Sequence, residues 1–97
     1  MNGMRPIHPG EILREEFLIP YGMSAHALAQ ALRVPAPRIN DIVRERRAVT
    51  PDTALRLARY FGTTPEFWLN LQQDYDLKTA AATLLDTIER EVQPHAA

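Results

Sequence analysis

The apolar positions between residues 24 and 47 form two groups, each with the three-to-four-residue spacing of an amphipathic helix. Pro35 and Pro37 stand between the groups, where a proline ring costs little because the first N–H groups of a helix have no intrahelical partner. The pattern predicts two short helices joined by a sharp turn, the second running from about Pro35 to Glu45. The two predicted buried stripes are Leu28, Ala29 and Leu32, then Ile39, Ile42 and Val43.

Helix boundaries are also readable on either side of this pair. HPGE at 8–11 predicts the start of a first helix, and Pro20 and Gly22 predict its end. TPD at 50–52 places a hydroxyl at the N-cap, a proline at the first position and an acid in the first turn, and TPE at 64–66 repeats the device. These two signals predict the starts of a fourth and a fifth helix.

The C-terminal part of the chain is Ala-rich and keeps a helical spacing of apolar residues as far as Val92. This segment is either continuous with the fifth helix or separated from it by a break near Leu77. No stretch shows a convincing strand pattern. The sequence therefore predicts one all-α domain over 1–97, with a core at about 7–77 and a helical extension at about 78–92.

Large apolar residues are too numerous late in the chain for a single core of this size. We expect a four-helix core to bury Leu55, Leu57 and Phe61 and to leave much of the fifth helix uncovered. An exposed patch of that size marks an interface, here with a second copy of the chain. The expected dimer-interface residues are Phe67, Trp68, Leu71 and Tyr75.

The outer face of the second helix of the pair is polar, as in the DNA-reading element of a helix-turn-helix. Charge supports this interpretation although the whole chain carries a net charge of −1. Basic residues exceed acidic ones by four between residues 33 and 64, whereas acids exceed bases by four between 65 and 97. A basic middle segment favours contact with phosphates, and a solvated helix surface is the simpler alternative for some of its arginines.

The expected DNA-binding residues fall into base-reading and phosphate-contacting groups. Arg38 and Arg44 suit guanine and Asn40 suits adenine, although at least one arginine is expected to contact phosphate instead. A carboxylate at Asp41 repels phosphate unless it accepts from a cytosine amine or orients an arginine. Thymine methyl contact, or simply the entry of the helix, is assigned to Ala36 and Pro37.

Three further residues are expected to contact the DNA backbone. Ser24 caps the first helix of the pair, whose N–H groups are suited to holding a phosphate, and a plain capping role is compatible with this. Arg46 and Arg47 follow the reading helix and are expected to meet phosphates. A structural ion pair is the alternative for Arg47.

Catalytic and metal-binding patterns are absent from the sequence. There is no cysteine, the three histidines are dispersed, and no glycine-rich phosphate loop occurs. We therefore expect no enzyme activity, no cofactor and no metal. No apolar run approaches the roughly 18 residues of a membrane span, and the N-terminus lacks the apolar core of a signal peptide.

Three blocks of this sequence resemble a known family: HPGEIL, then LAQALRV, then RRAVTPDTALRLARYFGTTPEFWLNLQQDYDL. The helix-turn-helix spacing is similar to that of the Xre/Cro, lambda-repressor-like group, and the last block resembles HigA-type antitoxins. The resemblance implies a five-helix core, a homodimer in the bacterial cytoplasm, and binding to a palindromic operator. It also implies neutralisation of a HigB-like toxin, typically an mRNA-cleaving ribonuclease.

The chain departs from the family pattern at three places. Arg33 stands where the turn usually has glycine, so a positive φ there would bear strain of the order of 1 kcal/mol. Arg44 and Glu45 replace the usual Asn-Gly after the reading helix. Asp41 occupies an outward position where arginine or glutamine is common. Two alternatives therefore remain: a DNA-binding regulator without a toxin, and a protein-interaction module with weak DNA binding.

Overall fold

Five helices make up the protein in a computed structural model that describes residues 5–96. Helix α1 occupies 9–21 as three consecutive segments, Pro9–Ile12, Leu13–Leu18 and Ile19–Tyr21. The others are α2 (Ala25–Leu32), α3 (Ala36–Val43), α4 (Pro51–Phe61) and α5 (Pro65–Glu91). No strand occurs within 5–96, so the prediction of an all-α, five-helix domain is confirmed.

Helix α1 begins as the sequence indicates and ends at the second of its two predicted end residues. The Nδ1 atom of His8 accepts the N–H of Gly10 at 2.8 Å, and Pro9 takes the first position. The middle segment has π-helical turns, in which the N–H of Ile19 donates to the carbonyl of Arg14, five residues back. These wider turns accommodate the ring of Pro20 inside the helix. The helix therefore continues through Pro20 to Tyr21, and Gly22, the second of the two predicted end residues, closes it at φ 61°.

Two residues that replace the family's usual glycines have a positive φ, one in the turn between α2 and α3 and one after α3. Arg33 closes α2 at φ 61°, and Glu45 lies at φ 64° after the end of α3. Helix α3 ends at Val43, two residues before the predicted Glu45, because the left-handed residue cannot continue a right-handed helix. The predicted stripes are buried, except that Val43 is only half-buried.

The repeated capping signals work as predicted at both later helices. The Thr50 hydroxyl accepts the N–H of Thr53 at 3.4 Å, and the Thr64 hydroxyl accepts the N–H of Phe67 at 3.1 Å. Helix α5 runs without a break through Leu77, which decides between the two alternatives for the C-terminal segment.

The core differs from expectation at one large side chain in each of the last two helices. Trp68 is fully buried, and its indole N–H donates to the hydroxyl of Thr63 at 2.8 Å. Leu55 is 59% exposed, because the buried stripe of α4 is formed by Ala54, Leu57 and Ala58. The core therefore contains Trp68 and not Leu55. Because Trp68 is fully buried within one protomer, it presents no surface to a second copy.

The second half of α5 projects away from the globule, and the molecule measures 53 × 24 × 22 Å. Apolar side chains along this projecting part are about half exposed or more: Leu77, Leu84, Leu85, Ile88 and Val92. Over residues 5–96, no helix combines the length and the apolar character needed to cross a membrane. The unpartnered apolar residues of α5 therefore require another explanation.

Candidate nucleic-acid interface

The buried back of α3 is fixed to α1 by two close contacts. Ile39 and Ile42 are fully buried, and the backbone of Gly10 packs directly against the carbonyl of Ile42. The guanidinium of Arg14 donates to the carbonyl of Val43 at 2.6 Å and so satisfies one of the last carbonyls of α3. These contacts fix the C-terminal end of α3 against α1, and the polar face of α3 lies outward.

The outward face of α3 and the loop after it carry most of the predicted DNA-binding residues. Pro37, Arg44, Arg46 and Arg47 are exposed, and the remaining members are half-buried. Within 5–96, neither Arg44 nor Arg46 has an ion-pair partner, so both side chains are available to phosphates or base edges. The half-buried members are Ala36, Arg38, Asn40 and Asp41.

One carboxylate oxygen organises the arginines beside α3. The Oδ2 atom of Asp52, in the first turn of α4, accepts from Arg38 at 2.5 Å and from Arg56 at 3.1 Å. A second nitrogen of Arg56 donates to the carbonyl of Leu32 at the end of α2, at 2.8 Å. The bonds from Arg56 and then Arg38 hold the pKa of Asp52 below its ordinary value. The network thus joins α2, α3 and α4 around the turn.

Asp41 and Asn40 are also engaged within the protein. A carboxylate oxygen of Asp41 lies 3.4 Å from a guanidinium nitrogen of Arg47, a long ion pair between partly exposed side chains. The amide of Asn40 donates to the carbonyl of Ala36 in its own helix at 3.2 Å. Asp41 therefore faces an arginine, as one of the two roles considered for it requires.

An open groove lies between α3 and α4 at the candidate interface. Its lining combines three arginines, two threonines and Asp52, between the start of α3 and the start of α4. The lining residues are Arg38, Arg47, Ala48, Thr50, Asp52, Thr53 and Arg56.

Ser24 is exposed at the start of α2, where its hydroxyl accepts the N–H of Ala27 at 3.0 Å. The capping role of Ser24 is therefore met, and its phosphate contact stays a prediction.

The loop after α3 is anchored to α5 by a buried glutamine. The Oε1 atom of Gln72 accepts the N–H of Val49 at 2.7 Å, and its amide donates to Asp76 at 2.9 Å. The rings of His8 and of Tyr75 on α5 pack edge to face, with their centroids 4.8 Å apart. Burial lowers the pKa of His8 below its ordinary value. The arginine-bearing loop thus depends on α5 for its position.

Four residues that shape this interface were not identified from the sequence as doing so: Gly10, Arg14, Asp52 and Gln72. The HPGE motif placed Gly10 only at a helix start, and Asp52 was identified only as a first-turn acid. Nothing in the local pattern distinguishes Arg14 or Gln72 from the solvated polar residues around them. Their partners lie more than twenty residues away, so only the tertiary structure reveals them.

Comparison with known proteins now decides the family. The family model described as Helix-turn-helix matches residues 13–68, which is more than half of the chain. The chain belongs to the helix-turn-helix family. That range extends from the middle of α1 to the first turn of α5, so it contains the whole candidate interface. No group of histidine or carboxylate side chains suited to a metal ion occurs within 5–96.

Two solved helix-turn-helix structures cover almost the whole chain. The structure of Pseudomonas aeruginosa antitoxin HigA with the higBA promoter is 55% identical, with a TM-score of 0.93 over 95% of this chain and 100% of that one. The structure of antitoxin GraA in complex with its operator is 58% identical, with a TM-score of 0.92 over 100% of this chain and 98% of that one.

A curated relative is also similar in sequence. Virulence-associated protein I of Dichelobacter nodosus is 66% identical over 79 residues, which are 81% of this chain and 73% of that protein. The family model and the HigA structure confirm the resemblance to HigA-type antitoxins of the Xre group.

Proposed function

We propose that this protein is a HigA-type antitoxin that binds the operator of its own module through α3 and represses transcription. The observation that carries the proposal is the arrangement of α3, whose buried back fixes it and whose front and following loop present Arg44 and Arg46. Two relatives of the same fold and more than half identical sequence were solved with promoter or operator DNA. Because operators are bacterial DNA, the proposal places the protein in the bacterial cytoplasm.

Binding of the chain's own upstream DNA, measured by fluorescence anisotropy over a range of salt, tests the proposal. We expect affinity to fall steeply with salt, because each phosphate contact releases counterions. Arg44→Ala at a base-reading position should cost about 1–3 kcal/mol of operator binding and relax specificity, whereas Arg46→Ala should weaken all DNA alike.

The matched control for these variants is Arg90→Ala, which removes the same charge from the projecting end of α5. We expect Arg90→Ala to bind the upstream DNA as the unchanged protein does. If Arg44→Ala and Arg46→Ala also bind as Arg90→Ala does, then α3 and its loop do not contact the operator.

The proposal includes a homodimer in which α5 contributes the interface. A single projecting helix is marginal in water, since helices in proteins are stabilised mainly by packing of an apolar face. Leu84 and Ile88 are about half exposed on that helix, and of the residues first expected at the interface, Phe67, Leu71 and Tyr75 retain exposed surface. A two-fold dimer would set two α3 helices about one turn of DNA, roughly 34 Å, apart.

Light scattering at micromolar concentration tests this dimer. We expect a mass of twice 11.0 kDa for the unchanged chain and a shift toward the monomer for Leu84→Glu combined with Ile88→Glu. Thr83→Glu places a new charge on the same helix at an exposed polar position and should leave the dimer intact. A monomer for the unchanged chain would remove the dimer from the proposal.

A toxin partner is the remaining part of the proposal. The six acidic residues after position 64 are all exposed, and all of them lie on α5, outside the basic segment that holds α3. A ribonuclease carries basic groups that hold phosphates, so complementary charge would direct it to this acidic region. Lasting affinity would come from apolar anchors, either on α1 or along the projecting half of α5.

Co-expression with the neighbouring reading frame and co-purification of the full-length chain test the toxin partner. We expect a complex that weakens when Asp86, Glu89 and Glu91 are changed together to their amides. The absence of any complex would leave a dimeric repressor without a toxin.

A second candidate is a neutralising protein-interaction module with weak DNA affinity. Asp41 and Asp52 favour it, because both carboxylates lie among the arginines of the candidate interface. A toxin complex combined with equal affinity for upstream and unrelated DNA would select this candidate.

A further inference from the structure

Asp52 stands apart from the other acids of the chain because it lies between two arginines at the candidate DNA interface. Its Oδ2 atom bonds Arg38 at 2.5 Å and Arg56 at 3.1 Å. Each of the other paired acids in the described part contacts a single base, such as Glu45 with Arg14 at 3.4 Å and Asp74 with Lys78 at 3.1 Å. Asp52 instead connects two helices, because Arg38 belongs to α3 and Asp52 to α4.

The Asp52 network limits the conformations that the Arg38 side chain can adopt. Arg56 is itself held by the carbonyl of Leu32 at 2.8 Å, so the carboxylate between the two arginines is attached to the end of α2. One nitrogen of Arg38 is taken by Asp52, and a guanidinium has five N–H donors in a rigid fork. The other donors remain for DNA. An arginine fixed in this way loses less conformational entropy when it meets a base than a solvated arginine does.

The same bond also offsets charge. An unpaired Arg38 would attract any phosphate backbone, whatever the sequence. Asp52 also contacts Arg56, so the three side chains together carry one positive charge instead of two, and their attraction for unrelated DNA is reduced. Specificity is a difference between two affinities, and it rises when affinity for the wrong partner is lowered. The restriction of Arg38 and the offset of its charge therefore both raise the preference for the operator over unrelated DNA.

From these contacts we infer that Asp52 is a specificity-determining residue of operator recognition, acting through Arg38. It presets the guanidinium for one DNA sequence and reduces the contribution of Arg38 to non-specific binding. The inference rests on the proposed function, since it requires that α3 meets an operator. It assigns a role to a residue of α4 that need not touch a base.

The test compares affinities for the upstream operator and for a scrambled duplex of equal length and composition, measured by anisotropy at two salt concentrations. Asp52→Asn keeps the shape of the side chain and removes its charge. We expect tighter binding of scrambled DNA and a fall of about tenfold in the ratio of the two affinities. In an Arg38→Ala background, the same Asp52→Asn change should leave the ratio within about twofold.

Asp74→Asn is the matched control, because it likewise removes one exposed carboxylate, which pairs only with Lys78 on α5. It should leave the ratio unchanged, and melting followed by circular dichroism checks that all variants are folded. An unchanged ratio in Asp52→Asn, or an equal fall in the Arg38→Ala background, overturns the role of Asp52. A wild-type protein with no preference for the operator overturns the proposed function itself.

Discussion

The backbone of Gly10 lies so close to that of Ile42 that a Cβ atom at Gly10 would stand 1.8 Å from the Ile42 carbonyl oxygen. This contact brings the start of α1 against the end of α3, where Arg14 also donates to the carbonyl of Val43. The position of the reading helix therefore depends on the absence of one side chain.

Gly10→Ala should accordingly destabilise the fold, by about 3 kcal/mol, because backbone atoms must move to admit the methyl group. Chemical denaturation followed by circular dichroism measures the free energy of unfolding. Gly22→Ala is the control, since nothing lies within 4 Å of its Cβ position and only the strain of φ 61° remains, about 1 kcal/mol. Equal losses for both variants would contradict the importance of the contact.

Glycine at Arg33 should stabilise the protein. Arg33 lies at φ 61°, a conformation that costs a residue with a Cβ about 1 kcal/mol and that glycine adopts readily. After the greater chain entropy of unfolded glycine is allowed for, Arg33→Gly should gain about 0.5 kcal/mol. Gln30→Gly, inside α2, should instead lose about 1 kcal/mol. A loss in Arg33→Gly as large as that in Gln30→Gly would show that strain at Arg33 is relieved elsewhere.

Arg14→Leu should weaken both the fold and the position of α3. Removing the guanidinium leaves the carbonyl of Val43 without its donor, at a cost of about 1–2 kcal/mol in unfolding free energy. Operator affinity should fall as well, because the end of α3 loses its anchor. The control Glu15→Gln removes only a surface ion pair of Arg14, at 3.0 Å, and should change stability by less than about 1 kcal/mol.

Gln72→Leu should release the loop that carries Arg46. The N–H of Val49 would then be buried without an acceptor, which costs about 1–3 kcal/mol. Hydrogen exchange of the Val49 amide should be faster, and operator binding should be weaker. Gln73→Leu, at the adjacent exposed position, is the control, and slow exchange of Val49 in Gln72→Leu would disprove the anchoring.

Stability should fall as pH drops through the titration range of His8. Burial lowers the pKa of His8 below its ordinary 6.5, so above that pH both the folded and the unfolded chain hold it neutral and its contribution is complete. Below pH 6.5 the unfolded chain binds the proton first, which reduces stability until the folded state is protonated too. Denaturation between pH 7.5 and 5.5 should show this loss.

His8→Asn keeps a capping side chain and should flatten this part of the pH dependence. His26→Asn, at an exposed histidine of α2, should leave the dependence as it is. If His8→Asn retains the full loss of stability between those two pH values, then His8 is not its source.

Local physics was sufficient for the helices and for most of their ends. Hydroxyl caps at Thr50 and Thr64, followed by prolines, act through hydrogen bonds within three residues, so the chain itself specifies them. The missing glycine at Arg33 likewise indicated a positive φ, because the geometry of the turn demands it whatever residue is present. The basic segment and the polar face of α3 identified the candidate interface, because charge and helical spacing can be read from the residues themselves.

Tertiary structure alone decided the contacts that join distant parts of the chain. Periodicity assigns a residue to a helix face but does not say which neighbour covers that face, so Leu55 was expected inside and Trp68 at an interface, the reverse of their positions. The pairing of Arg38 with Asp52 and the anchoring of Val49 by Gln72 depend on the angles at which helices pack. Those angles result from the sum of many weak apolar contacts, which no short stretch of sequence contains.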